Sequence, residues 1–371
     1  MAHQTSITSP KKIVVVGAGG NIGSHLVPHL ARMPNVSRVT LIDRDVYEAK
    51  NLSSQDISPS DVGKRKVGVQ ARRLRRINHE LKVETIFDAV ERVALGRLRG
   101  DVILACLDSR IARQHVSQFA WRLGVPLIDA GVEPTGLLAR VNVYVPGLES
   151  PCLECAWDDR DYEALEQTYP CAGFVSSIAA TNAPSSLGAL AASLQAIECQ
   201  RILGGQFERA AIGRQVLVDA SHHKHYVTGF RRNATCRFTG HDIWRIEKLN
   251  STPRELAVAE AFRQARWQSN STPEIRVEGK PFAKRLTCPA CGFKRSLLRL
   301  ECSLSEKERA CEQCGSRMIA AGIDLAEGLT LADVAEGSSL HSSLRRLGFR
   351  PAEVFSVRAG DTETHYELAE V

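Results

Sequence analysis

The chain has no long hydrophobic run and few aromatic residues, and each shortage excludes something. No apolar stretch among its 371 residues is long enough to span a bilayer, so no membrane-embedded segment is expected. Phe, Trp and Tyr make up 6% of the residues and do not interleave with the basic ones, so nucleic-acid binding finds no support. The opening residues, MAHQTSITSPKK, lack the apolar core of a secretory signal, and a cytoplasmic location is expected. Internal repeats and low-complexity tracts are missing too. A hydrophobic content of 43% in a chain of this length can bury a large core and fill two or three domains.

Cysteine, by contrast, is plentiful. Eleven cysteines in a reducing compartment point away from disulfides, and their spacing points to metal. Cys288 and Cys291 form one CxxC and Cys311 and Cys314 another, nineteen residues apart, and each second cysteine is followed by glycine, Gly292 or Gly315. Each CxxCG is a tight knuckle that turns two thiolates toward one tetrahedral ion, which makes a zinc ribbon the expectation. Such an ion replaces the core that a short segment cannot build. Cys302, between the pairs, reads as a packed thiol. The net charge is +6, and basic residues cluster at Lys64, Arg65, Lys66, Arg72, Arg73, Arg75 and Arg76. That run suits a solvated helix face, and equally a surface that meets ATP phosphates or an acidic partner.

The most informative stretch is VVVGAGGNIGS, Val14 to Ser24. Gly17, Gly19, Gly20 and Gly23 allow a strand to turn sharply into a helix, whose N-terminus offers backbone N–H groups to a phosphate. Asp43 ends the next apolar run, twenty residues after Gly23, where a carboxylate can accept hydrogen bonds from a ribose. The third glycine falls one residue later than in GxGxxG, which weakens a dinucleotide reading. A tight strand-to-helix turn with no ligand is the plain alternative.

Residues 11 to 145 alternate strand-like and helix-like segments: IVVVGAG, NIGSHLVPHLARM, VTLID, VGVQARRLRRINH, VETIFD, VILACLD, IARQHVSQFAWRLG and VPLIDAG. This is the rhythm of a mostly parallel α/β sheet with helices on both faces, a Rossmann-like arrangement. LLARVNVYVPG adds a strand or hairpin, Trp157 to Tyr169 a loop or short helix, and SSLGALAASLQAIECQRIL a long apolar helix ended by Gly204 and Gly205. Two strands are expected in QVLVDASHHKHYVTGFRR. The expected division is residues 1–248, a helical linker 249–275, the ribbon 276–322, and an α+β tail 323–371. The tail should hold a helix around SSLHSSLRRLG and a hairpin turning at Gly360-Asp361.

Several elements follow one another in a telling order: GAGGNIGS, Asp43 and Asp45, then Asn51-Leu52-Ser53-Ser54-Gln55, Lys66, Asp108 after a strand, the pair Cys152 and Cys155, and Cys171 before the long helix. Over roughly residues 11 to 245 this order resembles the ThiF/MoeB and ubiquitin-activating-enzyme superfamily, which adenylates the C-terminal glycine of ubiquitin-fold proteins. The resemblance implies ATP, magnesium and zinc as cofactors. It implies that Gly17, Gly19, Gly20 and Gly23 form the ATP turn and that Asp43, with Asp45 beside it, holds the ribose. Asn51 and Gln55 match the family's NLxRQ motif near the phosphates, Lys66 the phosphate-contacting lysine, and Asp108 the magnesium aspartate. Read without the resemblance, Lys66 is a surface lysine and Asp108 a helix cap.

Cys171 in TYPCAGF matches the family cysteine that takes the acyl group as a thioester; a buried core cysteine is the alternative. Cys152 and Cys155 need two more ligands. The family position implies Cys236, and His241 is the next residue able to complete a three-cysteine, one-histidine site. His222, His223 and His225 read as a solvated strand end, and Cys106 and Cys199 as core residues. One departure is plain: Ser54 stands where the family carries arginine, so Arg65, Arg72 or a second subunit must supply that cation, or adenylation is slow or lost.

The implied partners are a ubiquitin-like or sulfur-carrier protein ending in glycine, a conjugating-type enzyme docking on the ribbon and tail, and a second copy in a homodimer. The activating step of a ubiquitin-like conjugation pathway, of the bacterial kind that includes phage defence, is the first reading. Sulfur transfer to thiamine or molybdopterin is the second. Two readings of other classes are a non-catalytic nucleotide- or partner-binding scaffold, which Ser54 favours, and an NAD-dependent oxidoreductase, against which the glycine spacing argues.

Overall fold

The computed structural model describes residues 9–147, 149–168, 183–238, 240–264, 272–337 and 340–370. The chain divides into two compact units, residues 1–90 with 98–243, and residues 91–97 with 244–371.

In the first unit, β1 (Lys11–Val16) leads into α1 (Asn21–Leu30), β2 (Val36–Ile42), α2 (Lys66–Ile77), β3 (Lys82–Ile86), β4 (Val102–Ala105), α3 (Arg110–Leu123), β5 (Leu127–Glu133) and β6 (Leu138–Tyr144). Then come α4 (Asp159–Thr168), α5 (Ser185–Leu203), β7 (Arg214–Asp219) and β8 (Lys224–Gly229). The eight strands form one sheet in the order β3-β2-β1-β4-β5-β6-β7-β8. It is parallel from β3 to β5 and antiparallel from β5 to β8. The Rossmann-like α/β sheet expected from the strand–helix rhythm is therefore present.

The β1 residues Ile13 to Val16 are almost wholly buried, as a central parallel strand between two neighbours requires. Strand order runs outward from β1 on one side and from β4 on the other. Right-handed crossovers then put α1 and α2 on one face and α3 on the other. The long apolar α5 packs along α1 and under β4, β5 and β6. Its Leu187, Ala191, Ala192 and Cys199 join Ile13, Val15, Leu26 and Leu104 in the core. The split between β1 and β4 opens a crevice at the carboxyl ends of the strands, where ligands bind in sheets of this kind.

The second unit continues with β9 (Ile246–Lys248), α6 (Val258–Arg263), β10 (Glu274–Arg276), β11 (Phe282–Thr287), β12 (Lys294–Leu300) and α7 (Glu306–Arg309). It ends with β13 (Leu325–Ala326), β14 (Gly328–Thr330), α8 (Leu331–Gly337), β15 (Val354–Ala359) and β16 (Thr362–Glu367). A five-stranded sheet, β14-β10-β15-β16-β9, draws strands from the end of the segment expected as 1–248, from the linker and from the tail into one layer, and a three-stranded sheet, β12-β11-β13, carries the cysteine knuckles. The expected hairpin turns at Gly360, whose φ is +62°. The helix expected around SSLHSSLRRLG is, among the described residues, a 3-10 turn at Leu344–Leu347 ended by left-handed Gly348. Ser343 there is held by a bridge to Ala257, which leaves too short a run for an α-helix.

Lys280 and Glu353 form an ion pair of 2.7 Å inside this unit, their side chains 1% and 2% exposed, with Lys280 Nζ also donating to the Val93 carbonyl at 2.8 Å. Glu353→Ala leaves a buried ammonium unpaired and should cost about 3–5 kcal/mol, whereas Lys280→Met with Glu353→Leu should be tolerated far better. Chemical denaturation followed by circular dichroism checks both; equal losses in the two variants would contradict the pairing argument.

Candidate functional site

The glycine turn is shaped by close contacts that no side chain could share. Gly17 has φ +78°, and a Cβ there would lie 2.4 Å from the Cys106 carbonyl oxygen, so β1 and β4 meet at this residue. A Cβ on Gly19 would lie 2.3 Å from Cβ of Lys66, and one on Gly23 2.2 Å from the Gly17 carbonyl oxygen. The lysine stem thus lies directly across the turn. Its side chain is 8% exposed, and Nζ reaches Asp45 Oδ2 at 3.4 Å. Asp45 itself is largely solvent-facing, so Lys66 is not the surface lysine of the plain reading.

Asp43 caps the carboxyl end of β2. Its Oδ2 accepts the Gly19 N–H at 2.9 Å and its Oδ1 the Asp45 N–H at 3.0 Å. Each oxygen keeps a further lone pair for a ribose hydroxyl. Burial pushes its carboxyl above the usual range, against the pull of Lys66 and the two N–H groups.

Asn51 caps a 3-10 turn, Ala49–Ser53, by accepting the Glu48 N–H on Oδ1 at 2.8 Å, so what it can offer a phosphate is its NH2. Among the described residues, the buried side-chain oxygens of Gln55 and Asn21 have no protein partner. Asn21 Oδ1 packs against Gly188 of α5, so the Gln55 oxygen is the one of the kind a ligand site leaves when protein alone is counted.

The cations near Ser54 are distributed unevenly. Arg73 is held by the Asp56 carboxylate and by the carbonyls of Asp56 and Ser24. Arg72 lies 3.9 Å from Asp61, and Arg65 stacks over Phe87.

Asp108 is exposed just beyond β4. The helix cap of α3 is Ser109, whose Oγ accepts the Ala112 N–H at 3.3 Å, so Asp108 is not the cap. It lines a cavity of about 320 Å³ with Arg110, Arg113, Arg140, Leu153 and Trp157 among its walls.

Two of those walls, Arg113 and Arg140, meet a buried polar group that was not foreseen from the sequence. Asp129, 1% exposed, is gripped by Arg113 and by Arg140 at 2.9 Å. Gln195, wholly buried on α5, donates to the carbonyls of Ala105 and Ile128 at 3.1 and 2.8 Å and accepts from Cys106 Sγ at 3.2 Å. It thereby satisfies the strand ends where the crevice opens.

Two metal-ligand clusters form. Cys152, Cys155, Cys236 and His241 bring their donor atoms within 4.8 Å of one another, and so do Cys288, Cys291, Cys311 and Cys314. In the first, Cys152 Sγ lies 3.8 Å from Cys155 Sγ, 3.7 Å from Cys236 Sγ and 3.2 Å from His241 Nε2. Tetrahedral zinc with bonds of ~2.3 Å sets sulfurs about 3.8 Å apart, so this donor set fits the ion. Hydrogen bonding, first from Cys152, holds the Cys155 thiol down to about 4, while the same contacts push Cys152 up. Trp121 and Phe238 wall the cluster in, and Trp121 Nε1 donates to the His241 carbonyl.

In the second cluster Cys288–Cys314 and Cys291–Cys311 are 3.5 and 3.6 Å apart. Gly292 and Gly315 adopt φ +74° and +73° and return their N–H groups to Cys288 and Cys311, as the knuckle reading requires. Cys302 is half-buried beside the core of the second unit, and Cys106 and Cys199 are buried. His222 pairs with Asp219 at 2.9 Å on an exposed turn. Cys171 lies outside the described residues.

A mostly parallel sheet with a glycine turn at its switch point, a buried acid on the next strand and a lysine over the turn defines a nucleotide-binding α/β protein. The model described as ThiF family matches residues 2–238, and the chain belongs to that family. The sulfur carrier protein ThiS adenylyltransferase of Escherichia coli is 27% identical over 197 residues, 52% of this chain and 72% of that protein. Ubiquitin-like modifier-activating enzyme 5 of Oryza sativa is 29% identical over 159 residues, 39% of this chain and only 37% of that protein's length. The structure of E. coli MccB with ATP aligns with a TM-score of 0.50 at 25% identity, over 63% of this chain and 68% of that one. Among the described residues no helix is long and apolar enough to cross a membrane.

Elemental analysis of the purified chain should find two zinc ions, and Cys311→Ser should retain one, since the clusters share no ligand. A single ion in the unaltered chain would contradict one cluster.

Proposed function

We propose that the chain is an ATP-dependent adenylyltransferase that activates the C-terminal glycine of a ubiquitin-like or sulfur-carrier protein. The observation that carries this reading is the alignment of the glycine turn, Asp43, Lys66 and Asp108 along the carboxyl edge of β1, β2 and β4 in a ThiF-family chain. The triphosphate would meet the N-terminus of α1, with Lys66, Asn51 and Gln55 around it. Asp43 would hold the ribose. Lys66 offsets the negative charge that repels an incoming carboxylate. Asp108 would hold magnesium, which polarises the phosphate when bound.

The cavity next to Asp108 would give the acyl donor room to reach the α-phosphorus, where in-line attack comes opposite the departing pyrophosphate. A carboxylate oxygen of the terminal glycine attacks there, the α–β bond breaks, and pyrophosphate leaves. Cys171 would then displace AMP and carry the acyl group as a thioester. Activation for a ubiquitin-like conjugation pathway, such as those of phage defence, is the preferred setting. The match along 72% of a ThiS adenylyltransferase supports sulfur-carrier adenylation as the second. Ser54, in place of a phosphate-binding cation, favours a scaffold without turnover. The zinc-bearing second unit would dock the carrier or a conjugating-type enzyme. The chain would work as a homodimer in the cytoplasm.

Intact-mass analysis of a glycine-terminated carrier incubated with chain and ATP tests the roles. Asp108→Ala should form no acyl-adenylate. Cys171→Ala should still form it and lose the thiol-sensitive adduct on the enzyme. An adduct that persists in Cys171→Ala would remove Cys171 as the nucleophile.

A further inference from the structure

Where α1 and α5 meet, three side chains that the chemistry above does not use stand in sequence. Asn21 and His25 are four residues apart on one face of α1, and Ser185 and Gly188 three apart on the facing side of α5. Asn21 Nδ2 donates to the Ala183 carbonyl at 2.9 Å, and a Cβ on Gly188 would lie 1.7 Å from Asn21 Oδ1, so the two first turns are pressed together. One turn along α1, His25 Nε2 lies 2.9 Å from Ser185 Oγ. The other ring nitrogen, Nδ1, faces Asp56 Oδ2 at 3.9 Å.

Asp56 is anchored independently of that histidine. Its N–H donates to Ser24 Oγ at 3.0 Å, its carbonyl accepts from Arg73 at 2.9 Å, and Arg73 also grips its carboxylate. A carboxylate facing Nδ1 favours the tautomer with the proton there, which leaves the Nε2 lone pair for the serine hydroxyl. The His25 side chain is 15% exposed, and burial lowers its pKa against the pull of Asp56, with Arg73 and His29 adding to the lowering. The ring is therefore neutral near pH 7 and able to take a proton. Ser185 is half-buried between exposed Pro184 and Ser186, within reach of a ligand from solvent. It is also the first residue of α5, and the N–H groups of a first helical turn stabilise negative charge that develops on a carbonyl oxygen nearby.

A nucleophile within hydrogen-bond reach of a base, with a third group fixed beside the base, is the arrangement of covalent acyl transfer. We infer that Ser185 and His25, with Asp56 as positioning residue, form a second catalytic site, a serine nucleophile for activated acyl groups such as esters, thioesters and acyl phosphates. The Ser185 oxygen attacks the carbonyl carbon while its proton passes to His25 Nε2. The bond to the leaving group breaks, and that group departs with the bonding pair and takes the proton from His25. Water then cleaves the serine ester by the same route and frees the carboxylic acid. None of these steps uses ATP, so the site stands apart from the nucleotide reading. Two sources can supply the acyl group. One is an ester from solution. The other is an acyl-adenylate made at the first turn of α1, about 6 Å along the helix from His25.

A fluorophosphonate probe on the full-length chain, with the labelled peptide mapped by mass spectrometry, tests the site without ATP. Label should fall on Ser185 and not on Ser186, and His25→Gln should slow it about a hundredfold. Asp56→Asn should slow it less and move the midpoint of its pH profile down, because the carboxylate that raises the His25 pKa is gone. Ser185→Ala, a small change at the first position of α5, should abolish hydrolysis of p-nitrophenyl acetate and leave ATP–pyrophosphate exchange intact. In Cys171→Ala supplied with carrier and ATP, AMP release that stops on adding Ser185→Ala assigns the acyl-adenylate as substrate; release that continues keeps the site and assigns it esters from solution. Absence of label on Ser185, or labelling indifferent to His25→Gln, overturns the inference while adenylation stands.

Discussion

The contact on which the site depends is the stem of Lys66 laid across Gly19. Only hydrogen fits at that α-carbon, because a methyl would sit 2.3 Å from the lysine Cβ. The contact fixes the first turn of α2 against the glycine turn and brings a positive charge, buried along its stem, to the mouth of the β1–α1 junction. It also orders the neighbours: Asp45 receives the ammonium, and Asp43 clasps the Gly19 N–H. A cation, an acid and a bare helix N-terminus are thereby held within one turn of chain on each side. In such a preorganised site charge stabilisation needs little rearrangement when substrate arrives.

Around this contact the sheet supplies position. Reversal of strand order between β1 and β4 leaves a crevice, and buried polar groups hold its edges. Gln195 binds the carbonyls at the end of β4 and the start of β5, and Asp129 bridges Arg113 and Arg140, two walls of the cavity at Asp108. Such pairs contribute little net stability, yet breaking one leaves an uncompensated charge or donor, so they set geometry firmly. Under the proposed function, ribose, phosphates and acyl donor would take successive strand ends along the sheet edge.

Much of this was legible in the amino-acid order, for physical reasons. Glycines at 17, 19 and 23 stand out because backbone approach admits no other residue, and the CxxCG knuckles because their geometry is local. Cys152 and Cys155 were harder, since their partners Cys236 and His241 lie more than eighty residues away and only folding brings them near. Gln195, Asp129, Arg113 and Arg140 were missed altogether. A polar residue in an apolar helix or at a strand end has no pattern until its partner is known. The tail helix shortened to a 3-10 turn because the bridge of Ser343 to Ala257, a partner distant in sequence, leaves only a few residues before Gly348.

The second unit adds a small zinc-ready sheet to a family fold that ends before it, and its role is a matter of partners. The central claim concerns the first unit, and ATP–pyrophosphate exchange tests it most directly. The purified chain is assayed with and without ubiquitin-fold proteins ending in glycine. The account predicts exchange that depends on one such protein and on its terminal glycine. Nucleotide binding with no exchange for any of them would contradict it and leave a scaffold in which Ser54 marks a lost activity.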